Sequence, residues 1–115
     1  MGTVTLLHNP RCSKSRQALA LLEAAGVGVE VRRYLDAPLD RAELEALRAK
    51  LGGAVLDWTR VKEAAFKEAG LTRASQDAEV LDAMAAHPIL MERPVAIFGD
   101  RAVVGRPPER VHDLL

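Results

Sequence analysis

One cysteine, Cys12, is all the thiol chemistry this 115-residue chain contains. A single thiol closes no internal disulfide, so any redox step must take its second thiol from another molecule. An excess of charge of one sign is also missing: 16 basic side chains are matched by 16 acidic ones. That balance gives no reason to expect a nucleic-acid or membrane-surface binder. No apolar run approaches the roughly 18 residues that cross a bilayer. The opening Met1-Gly2-Thr3-Val4 carries neither the charged nor the apolar part of a signal peptide. Together with the scarcity of cysteine, this predicts a reducing, cytoplasmic setting. No His, Cys and carboxylate grouping has metal-ligand spacing. No Gly-x-Gly-x-x-Gly or Walker pattern points to a nucleotide. The expectation is therefore no bound metal and no resident cofactor.

What is present is 49% hydrophobic and 28% charged, at a length that suits one domain over residues 1–115. Thr3 to Leu7 reads as a buried strand. Ala18, Leu21, Leu22 and Ala25 form one helical stripe stopped by Gly26. Val27, Val29 and Val31 alternate with polar residues or glycine as a second strand. Strand, helix, strand predicts a parallel βαβ unit. Asp40 and Glu43 make an acidic capping box ahead of Leu44, Leu47 and Leu51. Thr59 is the expected cap of a helix through Ala65, Phe66 and Ala69. Ser75 opens another, carrying Val80, Leu81 and Met84 to His87-Pro88. Arg93 to Phe98, a Gly99-Asp100 turn and Ala102 to Val104 then read as an antiparallel hairpin. A short helix over Glu109 to Leu115 closes the chain, with Pro108 in its first turn. The predicted class is α/β: a four-stranded mixed sheet with flanking helices and a helical insertion between the second and third strands. This order is similar to the thioredoxin-like fold. In that fold a reactive cysteine follows the first strand and a proline, usually cis, opens the third. Cys12 and Pro94 hold those places.

The loop His8-Asn9-Pro10-Arg11-Cys12-Ser13-Lys14-Ser15-Arg16 surrounds the thiol with cations and hydroxyls. A helix start beside a cysteine lowers its pKa and favours the thiolate, and the same N–H groups attract oxyanions. On residues alone Cys12 reads as a nucleophile or as an inert buried thiol. Arg60, Arg93 and Arg106 read as solvated charges or as a second wall for an anion, since a guanidinium gives an oxyanion two parallel bonds. His8 reads as a group favouring the thiolate or as a structural end to the strand. Asn9 and Ser15 read as loop-holding residues or donors to sulfur.

The same loop resembles the opening motif of the glutaredoxin-coupled arsenate reductases. Leu90-Met91-Glu92-Arg93-Pro94-Val95 and Val104-Gly105-Arg106-Pro107-Pro108-Glu109 resemble that family's two later signatures. Thr59-Arg60, running on to Ala69-Gly70-Leu71, resembles its middle arginine segment, although Val61-Lys62-Glu63 departs from the usual Arg-x-Asn pattern. The resemblance implies that Cys12 is the nucleophile and that Arg60, Arg93 and Arg106 bind the oxyanion. His8, Asn9, Ser15 and Pro94 would support the site. It also implies reduction of arsenate to arsenite through a cysteine-bound thioarsenate, with glutathione as co-substrate and glutaredoxin as protein partner. Two rivals are a glutathione-dependent reductase of another substrate and an Spx-like regulator that contacts RNA polymerase. Spx-type chains usually carry a Cys-x-x-Cys switch, and here Ser15 fills its second place.

Overall fold

In the computed structural model, which describes residues 2–115, the first strand organises everything near Cys12. Strand β1 (Thr3–Leu7) pairs in parallel with β2 (Gly28–Arg32), from Thr3 opposite Gly28 to Leu7 opposite Arg32. On its other side β1 pairs antiparallel with β3 (Val95–Phe98), and β3 continues into β4 (Arg101–Val104). The sheet order is β2-β1-β3-β4, a four-stranded mixed sheet of thioredoxin-like layout. Gly99 takes a positive φ of 64° at the β3–β4 turn, which a residue without Cβ adopts at little cost. Arg101 joins β4 opposite Phe98, one residue earlier than expected.

The chain divides into two compact units, Met1–Ala37 with Arg93–Leu115, and Pro38–Glu92. The first, the sheet unit, buries Val4, Leu6 and Ala96 against Ala18 and Leu22 of helix α1 (Ser13–Ala24) and against Val111 and Leu114. Each fully buried valine or leucine among them stabilises the fold by about 1.5–3 kcal/mol. The α1 stripe is narrower than its sequence suggests. Ser15, Ala18 and Leu22 are buried, whereas Ala25 caps the helix and is exposed. Strand β2 lies at an edge of the sheet, so Val31 remains 43% exposed rather than buried. The closing segment, Pro108–Leu114, is a 3₁₀ helix and not an α-helix.

The second, helical unit starts with α2 (Arg41–Leu51). Its capping box is formed: Glu43 N–H donates to Asp40 Oδ1 (2.8 Å) and Asp40 N–H to Glu43 Oε1 (3.0 Å). A 3₁₀ turn (Val55–Trp58), α3 (Ala64–Glu68), α4 (Asp77–Ala86) and a second 3₁₀ turn (Pro88–Leu90) come next. Helix α4 packs on α2 and on both 3₁₀ turns, burying Val80, Leu81 and Met84. Two expected caps are displaced. Thr59 is buried, bridges Met91, and donates its hydroxyl back to the Val55 carbonyl (2.8 Å); α3 starts five residues later, after Glu63. Ser75 accepts the Thr72 N–H (2.8 Å), and Gln76 takes the cap position, its N–H held by Glu79 (3.1 Å). Among the described residues no helix is long and apolar enough to cross a membrane.

Candidate active site

Cys12 is the N-cap of α1, with extended backbone angles (φ −93°, ψ 123°), and its carbonyl accepts the Arg16 N–H (3.0 Å). No side-chain oxygen caps this helix and its first turn holds no acidic residue. The first-turn amides of Ser15 and Lys14 instead favour the anionic form of the sulfur. An anionic acceptor at that end is also favoured by the helix dipole. Burial pushes the Cys12 pKa up. The Ser15 N–H, the Arg93 side chain and the Lys14 N–H together outweigh burial and hold it below the ordinary thiol value. Cys12 is half-buried, so the sulfur is both activated and reachable.

Arg93 reaches this sulfur from the residue before Pro94, and the Arg93–Pro94 peptide bond is cis. The Arg106–Pro107 bond is cis as well. Arg106 Nη1 donates to the Arg93 carbonyl (3.0 Å), and the Gly105 N–H donates to the Pro94 carbonyl (2.8 Å). The two arginine-proline pairs are thus tied into one wall. Gly105 is part of that wall for a packing reason that residue patterns do not reveal. A Cβ there would lie 2.9 Å from Pro94 Cγ and 3.3 Å from Val111 Cγ1. Its only sequence signal is a glycine directly before Arg106-Pro107.

The loop itself is fixed by its polar side chains. Asn9 Oδ1 accepts from the Arg11 N–H (3.0 Å), and the Asn9 carbonyl accepts from the Cys12 N–H (3.0 Å). Arg16 Nη1 donates to the Pro10 carbonyl (2.9 Å). Ser15 is fully buried. Its Oγ accepts the Asn9 N–H (3.0 Å) and bonds His8 Nδ1 (2.7 Å), so its hydroxyl is spent on the loop and only its amide serves the sulfur. His8 is 6% exposed, and burial, with the charges of Arg33 and Arg16, lowers its pKa. A neutral imidazole bonded to Ser15 supports the loop.

Arg60 belongs to the helical unit and does not share these bonds. Its Nη2 pairs with Glu63 Oε2 at 2.8 Å, and its Nη1 lies 3.5 Å from the Ile89 carbonyl. The structure therefore joins Cys12, Arg93, Arg106, Pro94, His8, Asn9 and Ser15 in one bonded network. Arg60 stands with Glu63.

A model of the ArsC family matches residues 7–114. The chain belongs to the ArsC family. An arsenate reductase of Neisseria meningitidis serogroup B is 44% identical over 117 residues, covering all of both chains. The uncharacterized protein YfgD of Escherichia coli is 44% identical over 97% of this chain and 96% of its own. Among solved structures, an arsenate reductase from Vibrio cholerae superposes with a TM-score of 0.93 at 40% identity, covering 99% of this chain and 98% of that one. The Cys12 loop and the arginine-proline wall both fall within the span matched to ArsC.

Proposed function

We propose that this ArsC chain is an oxidoreductase that reduces arsenate to arsenite, with Cys12 as the nucleophile. The observation that carries the reading is the Cys12 sulfur itself, held by two α1 amides and the Arg93 guanidinium. Arsenate, a tetrahedral oxyanion like phosphate, binds over the α1 N-terminus and against Arg93 and Arg106. Cys12 thiolate attacks arsenic and forms an As–S bond. An As–O bond breaks and the oxygen leaves as water after taking up protons. Fixed N–H groups and guanidinium charge stabilise the negative charge as it moves between oxygens.

The single cysteine dictates the next step, since no internal thiol can resolve the adduct. Glutathione, acting as co-substrate in a reducing cytoplasm, attacks the thioarsenate. Glutaredoxin then completes the transfer. Overall, arsenate and two thiols give arsenite, one disulfide and water: arsenic gains two electrons and two sulfurs lose one each. The Cys12→Ser variant should lose glutathione- and glutaredoxin-dependent arsenate reduction by at least about a thousandfold, since the nucleophile itself is removed. Turnover within tenfold of wild type would sink the assignment.

A further inference from the structure

A cavity of about 400 Å³ opens beside the Cys12 loop, wholly within the sheet unit, and the attack of Cys12 on arsenate makes no use of it. One wall is residues 8–11, which come after β1; the other is Arg33, Leu35 and Asp36, which come after β2. These are the carboxyl ends of the two parallel strands, where α/β sheets generally hold their ligands. Its size falls in the range of small-molecule sites. The second wall is a fixed turn: Asp36 and Ala37 N–H both donate to the Arg33 carbonyl (3.0 and 2.8 Å), and Arg32 Nε donates to the Ala37 carbonyl (2.9 Å).

The lining residues include two arginines, Arg11 and Arg33, and one acid, Asp36. Leu35, 42% exposed, adds an apolar edge. That pattern complements a small ligand with two carboxylates and one ammonium group. We propose that this cavity docks the thiol co-substrate as a zwitterionic peptide of net negative charge, with its carboxylates on Arg11 and Arg33 and its ammonium on Asp36. Glutathione has this charge pattern. Arg11 directly precedes Cys12, so a peptide seated here lies next to the loop that carries the nucleophile. The inference rests on the proposed use of glutathione, but it concerns binding rather than turnover.

Calorimetric titration with S-methylglutathione, which cannot react through sulfur, tests it on the full chain. Binding should weaken about tenfold in Arg33→Ala and again in Asp36→Asn, the loss expected for one charge-assisted contact. Inorganic phosphate should not compete. Wild-type affinity in both variants, no binding to wild type, or displacement by phosphate would overturn the proposal. Arsenate assays separate the two readings. Arg33-dependent binding without arsenate turnover would retain the cavity and remove the substrate assignment. Turnover with binding insensitive to Arg33 and Asp36 would do the reverse.

Discussion

The sheet unit and the helical unit hold similar numbers of basic side chains and use their arginines differently. The sheet unit has nine basic and six acidic side chains, and the helical unit has seven and ten. Three of the four arginines of the helical unit find carboxylates: Arg41 pairs with Glu45 and Asp82, Arg48 with Glu45 and Asp77, and Arg60 with Glu63. In the sheet unit Arg16, Arg32, Arg101 and Arg106 donate to backbone carbonyls, Arg93 reaches a sulfur, and Arg110 lies 3.8 Å from Asp113. A guanidinium paired with a carboxylate has its charge answered. One resting on a carbonyl, as Arg106 does, keeps positive charge for an incoming anion. The zero net charge of the whole chain conceals this division.

The contrast can be broken most strongly at Gly105. Gly105→Ala forces a methyl group against Pro94 and Val111, which should cost about 1–3 kcal/mol of stability and slow arsenate turnover by shifting the wall that carries Arg93. Chemical denaturation and steady-state kinetics measure the two effects; unchanged stability would mean that Pro94 yields freely. Asp40→Ala removes a formed cap in the helical unit and should cost about 1 kcal/mol, with the alkylation rate of Cys12 unaltered. A slower Cys12 would show that the sulfur depends on the helical unit. Arg60→Ala sharpens the comparison by separating two roles. Its partly exposed pair with Glu63 contributes only about 0–1 kcal/mol, so melting should barely change. The KM for arsenate should rise if Arg60 also serves as a third cation, and an unchanged KM would restrict it to Glu63.

The strands were legible because their patterns are local. Val4 and Leu6 alternate with threonines in β1, and the two-residue Gly99-Asp100 turn fixes the β3–β4 register. The α2 cap was equally legible, since Asp40 and Glu43 stand at capping-box spacing. Thr59 misled because a threonine before an apolar helical pattern looks like a cap, whereas its bridge to Met91 is set by tertiary pairing. The edge position of β2, which exposes Val31, is a property of strand order and has no mark in the residues. At the site the cysteine and the helix start were readable from types and spacing. The lowered pKa of His8 was not, since it depends on burial and on Arg33, which lies 25 positions away in sequence. The tie between Arg106 and the Arg93 carbonyl was likewise hidden until the hairpin brought the two strand ends together.

The central claim is that α1 amides and Arg93 lower the Cys12 pKa and so favour the thiolate. The most direct test is the pH dependence of Cys12 alkylation by iodoacetamide, in wild type and in Arg93→Ala. An unperturbed thiol titrates near about 8.5. The wild-type midpoint should fall below that value, and removal of Arg93 should move it upward, so that alkylation at neutral pH slows. A wild-type midpoint at the ordinary thiol value, unmoved by Arg93→Ala, would contradict the account.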